Sequence, residues 1–270
     1  MPELPEVETT RRGIAPHVLG RRVSQVCIRQ PRLRWPVPGA LTEILPRRKL
    51  MTLNRRGKYL LLGFTHGTLI LHLGMSGSLR VLPRETPAEK HDHFDLIFGP
   101  LCLRLHDPRR FGAVLWTEQP VAEHPLLAHL GPEPLGEAFT GRHLFDQSRN
   151  RKVTVKQFIM DGRTVVGVGN IYANEALFRA GISPMRACGR ISAQRYERLA
   201  RSIKDILTTA IECGGTTLQD FLQADGKPGY FSQELQVYGH AGEPCPVCTS
   251  IIRHRLIGQR SSYYCSRCQH

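Results

Sequence analysis

The first residues of the chain hold a group that could act as a covalent catalyst. Met1 is followed by Pro2 and Glu3, and removal of Met1, which a small second residue permits, would leave Pro2 with a free secondary amine. Such an amine attacks a sugar aldehyde carbon to give an iminium ion, which has no N–H to lose and stays cationic at any pH. An α-amino group has a pKa of roughly 7.7–8.0, so part of it is nucleophilic at neutral pH, and Glu3 would move the protons. A purely structural interpretation also exists, because Pro5 and Glu6 suit the first turn of a helix.

Four cysteines near the C-terminus have the spacing of a metal site. Two residues separate Cys245 from Cys248, and the same separation recurs between Cys265 and Cys268. Two such pairs are typical of tetrahedral zinc. The set includes no histidine and no open position, so we expect one structural Zn²⁺ rather than a catalytic ion.

The charge balance predicts a polyanionic partner. The chain has 37 Lys and Arg against 23 Asp and Glu, which gives a net charge of +14. Most of the cations are arginines, whose planar fork suits phosphate, and nucleic acid is the simplest such partner. A basic protein of the membrane surface is disfavoured, because neither a lipidation motif nor an apolar run of about 18 residues is present. Without a visible signal peptide, we expect a cytoplasmic protein whose cysteines bind metal rather than form disulfides.

The elements that must position these groups change along the chain. Apolar residues at helical spacing predict a leading helix over 5–19. From 23 to 117, short β-type runs punctuated by Gly and Pro predict a sandwich or a barrel. After a linker at 131–134 the periodicity becomes helical, and the clearest helix spans 192–213. A β-hairpin is predicted between the cysteine pairs, with its turn near 258–260. The individually predicted strands are 58–64, 68–73, 94–98, 102–106 and 113–117.

Two turns in the β-rich half carry large apolar residues. Met75 lies among glycines, and Phe111 follows Arg109 and Arg110. Turn residues are usually exposed, so Met75 and Phe111 could act as wedges in a base stack. Packing beneath a loop is the alternative.

Two glycine-rich stretches in the second half also have two interpretations. The turn before Asn170 would let backbone amides and the Asn170 side chain approach a phosphate, whereas a plain helix connection is the simpler explanation. Residues 225–230 could form a mobile lid or an ordinary connection.

Together, these motifs resemble those of bacterial formamidopyrimidine-DNA glycosylases, base-excision repair enzymes that are also apurinic/apyrimidinic lyases. The resemblance covers essentially the whole chain. It rests on Met-Pro-Glu-Leu-Pro-Glu-Val-Glu, Arg-Arg-Gly-Lys-Tyr-Leu, His-Leu-Gly-Met-Ser-Gly, Asp-Pro-Arg-Arg-Phe-Gly, Val-Gly-Asn-Ile-Tyr-Ala and the cysteine pairs.

The resemblance implies an α+β fold in three parts. These are an N-terminal antiparallel β-sandwich with a leading helix over 1–131, a helical domain with a helix-two-turn-helix motif over 132–235, and a C-terminal zinc-finger β-hairpin over 236–270. The implied partner is double-stranded DNA that contains oxidised bases or abasic sites, bound by a monomer. Residues 216–230 resemble the lesion-capping loop of the family.

The resemblance also implies which residues carry the chemistry. Pro2 would be the nucleophile, Glu3 the acid/base that assists sugar opening, and Lys58 a cation beside the phosphates of the lesion. Asn170 and Arg260 would hold the phosphates that flank the extruded nucleotide.

Three further residues, Met75, Arg109 and Phe111, would fill the gap that this nucleotide leaves. Chemistry at C1′ requires the damaged base to leave the stack, and an apolar wedge plus an arginine offsets part of that cost. The complete set of implied DNA contacts is His72, Met75, His91, Arg109, Phe111, Lys156, Asn170 and Arg260.

The implied activity is removal of oxidised purines such as 8-oxoguanine and formamidopyrimidines through a Schiff base, followed by β,δ-elimination. The endonuclease VIII type, which removes oxidised pyrimidines, is the nearest rival. Leu4 and the intact set of Met75, Arg109 and Phe111 favour the formamidopyrimidine type. A non-catalytic zinc-ribbon DNA-binding protein is the rival from another class, and it would need neither a free proline nor a wedge.

Overall fold

The fold follows the change of periodicity along the chain, from one helix to strands and then to several helices. The computed structural model describes residues 2–215 and 234–270. They form two compact units, the first with residues 2–128 and 213–215 and the second with 129–212 and 234–270. The glycine-rich stretch 225–230 lies outside the described residues. The domain limits at 131 and 235 stay a prediction.

In the first unit, helix α1 (Leu4–Val18) accompanies two antiparallel sheets. Val7, Ile14 and Val18 of α1 are buried in the same apolar core as the inward-facing residues of both sheets. The strands are β1 (Gln25–Ile28), β2 (Thr52–Arg56), β3 (Tyr59–Phe64), β4 (Gly67–His72), β5 (Ser78–Pro83), β6 (Asp92–Phe98), β7 (Leu101–His106) and β8 (Ala113–Thr117). A short helix, α2 (Leu41–Ile44), follows β1. The strand orders are β1-β6-β7-β5 and β2-β3-β4-β8.

The predicted antiparallel sandwich with a leading helix is therefore confirmed. Alternation along β3 buries Leu60, Leu62 and Phe64 on one face, as expected for a half-buried strand. The five individually predicted strands are β3, β4, β6, β7 and β8, displaced by at most two residues at either end.

The outer face of strands β6 and β7 is locked by buried charges. Asp95 and Arg104 lie opposite each other and form a bidentate pair, with both N···O distances at 3.0 Å. Burial would raise the pKa of Asp95, but hydrogen bonds from Arg29 and Arg104 hold the pKa of this carboxyl below its usual value. These bonds hold β6 and β7 together, so the loops before β6 and after β7 begin at fixed strand ends.

In the second unit, four helices precede a β-hairpin. The predicted helix over 192–213 is observed at Ala193–Glu212 (α6), and the predicted hairpin turn lies at Gly258 and Gln259, which both have positive φ. Two shorter helices were not predicted; each begins after a threonine that caps it, Thr140 and Thr154. The elements are α3 (Gly141–Ser148), α4 (Val155–Met160), α5 (Asn170–Arg179), α6 (Ala193–Glu212), β9 (Arg253–Ile257) and β10 (Arg260–Tyr264).

The helices can also be compared with the thickness of a bilayer. Among the residues that the structure describes, no helix has the length and apolar character needed to cross a membrane.

Candidate functional site

The N-terminus of the first unit is held by reciprocal hydrogen bonds at the start of α1. Glu3 is the N-cap, its side chain accepts the Glu6 N–H, and the Glu6 carboxylate accepts the Glu3 N–H at 2.8 Å. Glu3 and Glu6 are each only 2% exposed, and Pro2 is buried. This capping box fixes the backbone that follows the Pro2 nitrogen.

Glu8 attaches α1 to strand β2. Its carboxylate accepts hydrogen bonds from Arg11 and Arg12 at 2.8 Å and from Arg55 of β2 at 3.2 Å. Burial by itself would raise the pKa of Glu8. The hydrogen bonds from Arg11 and Arg12, together with the positive charge of Arg55, outweigh burial and lower this pKa to about 2. Arg55 also donates to the Gly57 carbonyl at 2.9 Å, so the cluster connects the N-terminal helix to the turn between β2 and β3.

We expect Glu8→Gln to remove an acid-sensitive part of the stability. Because the pKa of the folded state lies below the unfolded value of 4.5, ionised Glu8 stabilises the fold above pH 4.5, and this contribution disappears as the pH falls toward 2. The contribution at pH 7 is on the order of 2 kcal/mol. Between pH 7 and pH 3, the free energy of unfolding measured with denaturant should fall less for the variant than for wild type. Glu43→Gln, which removes an exposed carboxylate, is the control; an identical acid loss in all three proteins would contradict the role of Glu8.

Lys58 and His72 lie at the same end of adjacent strands. Lys58 precedes Tyr59, which pairs with His72 across β3 and β4, and the Tyr59 and His72 rings are 4.8 Å apart. Burial, followed by the charges of Lys58 and Arg34, lowers the pKa of His72 to about 4. The His72 Nδ1 atom accepts the Gly74 N–H at 2.9 Å. At pH 7 the imidazole is therefore neutral with its proton on Nε2, which leaves an uncharged N–H donor.

The loop that carries Met75 touches the loop that carries Phe111. Gly74 has φ +67°, and a Cβ atom built there would lie 2.5 Å from both Phe111 C and Gly112 N. The backbones of the two loops are thus in direct contact, and only glycine permits this approach. Met75 is partly buried, whereas Phe111 is 43% exposed.

Asp107 closes the second of these loops. It is fully buried, its Oδ2 atom accepts the Gly112 N–H at 2.7 Å, and its own N–H donates to the His91 carbonyl at 2.9 Å. The Arg109 guanidinium lies over the Phe111 ring, 5.1 Å from its centroid. The structure therefore brings His91, Arg109 and Phe111 to the end of the sandwich where His72 and Met75 also lie.

We expect Gly74→Ala to separate the two loops. The added methyl group would meet backbone atoms that cannot give way, at a positive φ that disfavours alanine. The cost should be about 1–3 kcal/mol in denaturant unfolding, with a further loss of any activity that needs both loops. Gly99→Ala is the matched control, because Gly99 has φ +64° but no atom within 4 Å of an added Cβ. Equal losses in both variants would mean that backbone strain alone is responsible.

In the second unit, Asn170 begins α5 and Arg260 begins β10. The N-terminus of a helix favours anions because the helix dipole is positive there. Within the part of the chain that the structure describes, the buried Asn170 Oδ1 atom has no hydrogen-bond partner. Arg260 is exposed and directly follows the hairpin turn.

Lys156 occupies a different setting from these two residues. It is 1% exposed, and its Nζ atom donates to Ser261 O at 2.6 Å and to Ser262 Oγ at 2.7 Å. Sequence resemblance places Lys156 among the DNA contacts, whereas the structure places its ammonium against strand β10. The DNA contact of Lys156 stays a prediction.

The four cysteines form a cluster of the size that zinc requires. The Sγ atoms of Cys245 and Cys268 are 3.9 Å apart, those of Cys248 and Cys265 are 3.4 Å apart, and all four lie within 4.8 Å of one another. A tetrahedron with Zn–S bonds of about 2.3 Å has S···S distances of about 3.8 Å. The cluster fits one structural Zn²⁺ held by four thiolates, as predicted.

Models of protein families match three segments of the chain. Residues 1–114 match the formamidopyrimidine-DNA glycosylase N-terminal domain, 130–222 its H2TH domain, and 242–270 a zinc finger found in FPG and IleRS. The chain belongs to the formamidopyrimidine-DNA glycosylase family. Family membership confirms the resemblance seen in the sequence.

Individual members of the glycosylase family are similar along their whole length. The formamidopyrimidine-DNA glycosylases of Methylococcus capsulatus and Nitrosococcus oceani are 61% and 58% identical to the chain, with 100% of each chain covered. The crystal structure of MutM (Fpg) from Thermus thermophilus has a TM-score of 0.90 and 39% identity, covering 99% of this chain and 98% of that one. A Lactococcus lactis Fpg mutant in complex with DNA containing Fapy-dG has a TM-score of 0.93 and 32% identity, with both chains covered fully.

Four residues that support the site were not predicted from the sequence. Glu6 and Asp107 fix the two regions described above, while Asn174 and Glu175 are buried polar residues of α5. The Glu175 carboxylate accepts three backbone N–H groups from residues 236–238, at 2.8–3.0 Å. A signal was present, because two polar residues interrupt the apolar run of α5 and buried polar groups need partners.

Proposed function

We propose that the chain is a bifunctional DNA glycosylase and abasic-site lyase that removes oxidised purines from double-stranded DNA in the bacterial cytoplasm. The observation that carries the proposal is the N-terminus: in a chain of this family, Pro2 is followed directly by a buried capping box formed by Glu3 and Glu6. A nucleophile on a fixed backbone loses little freedom when it reaches its target.

In the proposed reaction, the Pro2 nitrogen attacks C1′ of the damaged nucleotide. The bond from C1′ to the base breaks, and the base leaves with the proton that the Pro2 nitrogen loses. Glu3 donates a proton to the sugar ring oxygen as the ring opens, which leaves an iminium ion between C1′ and Pro2. Loss of the C2′ proton expels the 3′ phosphate, a second proton loss at C4′ expels the 5′ phosphate, and water releases the enzyme.

The electrostatic setting of the other predicted site residues supports this assignment. Lys58 lies near enough to His72 to lower the pKa of its imidazole, so a cation and a neutral N–H donor lie at one end of the sandwich, where they would bind the lesion's phosphates. Asn170 and Arg260, which belong to the second unit, would hold neighbouring phosphates. Met75, Arg109 and Phe111 would fill the space of the extruded nucleotide.

The relatives' structures bear on the lesion class. Lactococcus lactis Fpg has been crystallised with DNA that contains Fapy-dG, an abasic site or an oxidised pyrimidine. We propose formamidopyrimidines and 8-oxoguanine as the principal substrates of this chain, and an oxidised pyrimidine belongs in the test as the competitor.

Borohydride trapping tests the proposal. The zinc-loaded chain is incubated with duplexes that contain 8-oxoguanine or an oxidised pyrimidine, and borohydride reduces the iminium to a stable adduct. We expect faster base release and trapping on 8-oxoguanine. Faster turnover of the pyrimidine would indicate the endonuclease VIII type, and binding without base release would indicate a non-catalytic DNA-binding protein.

Arg109 should determine which base is preferred opposite the lesion. Its guanidinium has only donors, and cytosine without its partner offers acceptors, so cytosine should be favoured over adenine. We expect Arg109→Ala to reduce the cytosine-to-adenine ratio of base-release rates by about tenfold. The control is Arg84→Ala, which removes an exposed arginine that follows the end of β5 and lies outside the loop of Arg109. An unchanged ratio in Arg109→Ala would contradict this role.

A further inference from the structure

Helices α4 and α5 are joined to the hairpin by two buried polar side chains. Lys156 of α4 donates to the carbonyl of Ser261 and to the hydroxyl of Ser262, which is itself fully buried. Both acceptors belong to β10, the strand that begins with Arg260. The ammonium therefore secures the residues immediately after this arginine.

Asn174 makes the second connection, and it reaches in two directions. Its Oδ1 atom accepts the Tyr263 N–H of β10 at 2.8 Å, while its Nδ2 atom donates to the Asn170 carbonyl at 2.6 Å. Asn174 is 1% exposed, so water cannot replace these bonds without cost. One amide thus spans from the first residue of α5 to the arginine-bearing strand.

The hairpin turn is held as well. A Cβ atom built on Gly258 would lie 2.7 Å from Gln157 Nε2, which means that the turn backbone packs against α4. Three consecutive parts of the hairpin, namely the turn, the start of β10 and its centre, are therefore supported by α4 and α5.

We propose that Asn174 and Lys156 are positioning residues that hold Arg260 at a fixed place relative to Asn170, so that both reach phosphates of one DNA strand. This inference rests on the proposed function, in which Arg260 and Asn170 bind phosphates. A long arginine side chain on a loosely held hairpin would lose more freedom on binding, and a phosphate contact depends on the position of its backbone. In this proposal Lys156 acts through the hairpin, and its predicted direct contact with DNA is the alternative that the salt slope distinguishes.

A double-mutant cycle tests the inference. The affinity of the zinc-loaded full chain for a duplex with a tetrahydrofuran abasic analogue is measured over a range of salt concentrations. Arg260→Ala should weaken binding and lower the salt slope by about 1. Asn174→Ala and Lys156→Met should each weaken binding about tenfold and lower the slope similarly, although Asn174 carries no charge. Each double mutant with Arg260→Ala should bind within about twofold of Arg260→Ala alone, since an interaction that acts through Arg260 is lost only once.

The controls separate positioning from general damage. Lys204→Met removes one positive charge and a hydrogen bond of 3.1 Å from α6 to the Gly136 carbonyl, which involves no residue of the hairpin, so its effect should add fully to that of Arg260→Ala. Asn174→Asp keeps an acceptor for the Tyr263 N–H and loses the donor to Asn170, which covers the case in which Asn174→Ala fails to fold. Zinc content and thermal unfolding identify folded variants.

The outcomes are distinct. Additive losses in both double mutants would overturn the inference, and a slope that falls further in Lys156→Met with Arg260→Ala would show that Lys156 touches phosphate directly. The analogue cannot be cleaved, so the cycle is independent of catalysis. Absence of trapping by wild type on 8-oxoguanine would instead refute the proposed activity while leaving the binding cycle interpretable.

Discussion

A chain with any residue before Pro2 is expected to lose base release and borohydride trapping by at least about a thousandfold. The reason is chemical, because an additional residue converts the Pro2 amine into an amide nitrogen that is no longer nucleophilic. The fold should persist, since the reciprocal hydrogen bonds of the capping box begin at Glu3 and do not use the Pro2 nitrogen. Circular dichroism and zinc content should match those of the mature chain.

Pro2→Gly provides a sharper comparison than the extension alone. Glycine leaves a primary amine, whose imine is cationic only while protonated, so we expect weaker trapping that declines as the pH rises. The proline iminium has no such proton, and trapping by wild type should lack this decline. Mass spectrometry of the reduced complex then locates the bond. An adduct on Lys58, or normal trapping by the extended chain, would refute the role of the terminus.

Loss of the zinc ion should produce the second large effect. We expect Cys248→Ser, or removal of the metal by a chelator, to weaken binding of damaged and undamaged DNA by about a hundredfold or more, because structural zinc contributes roughly 10–16 kcal/mol in zinc-finger peptides. Without it, the hairpin retains a small apolar cluster around Phe178, Val237 and Ile252, and its polar contacts with α4 and α5. These contacts alone would hold Arg260 less firmly than they do together with the metal.

The control for this prediction is Cys27→Ser. Cys27 is a partly exposed cysteine of β1 in the first unit, and its replacement should leave about one zinc per chain and normal DNA binding. Metal analysis and a binding titration check both variants. Full DNA binding by metal-free Cys248→Ser would contradict the structural role of the ion.

Local features of the sequence predicted most of the elements. Short apolar runs bounded by glycine and other turn residues predicted strands such as β3 and β8. An apolar stripe at helical spacing that ends at a glycine pair predicted α6. The zinc cluster was also predictable, because its four ligands lie in two short segments with a characteristic spacing. Helices α3 and α4 were missed because they span only 8 and 6 residues, too few to show a clear period.

The sequence by itself therefore determined the family, the α+β fold, the zinc ligands and the candidate nucleophile, because short motifs and local periodicity along the chain carry this information. Only the tertiary structure decided which groups share a location and what state they are in. The neutral form of His72 depends on burial and on the charges of Lys58 and Arg34, and the contact between Gly74 and Phe111 joins distant loops. Asn174 likewise meets Tyr263 across 89 positions of sequence. Burial and long-range contacts arise only when the chain folds, because no local pattern fixes which distant group will lie opposite a given side chain.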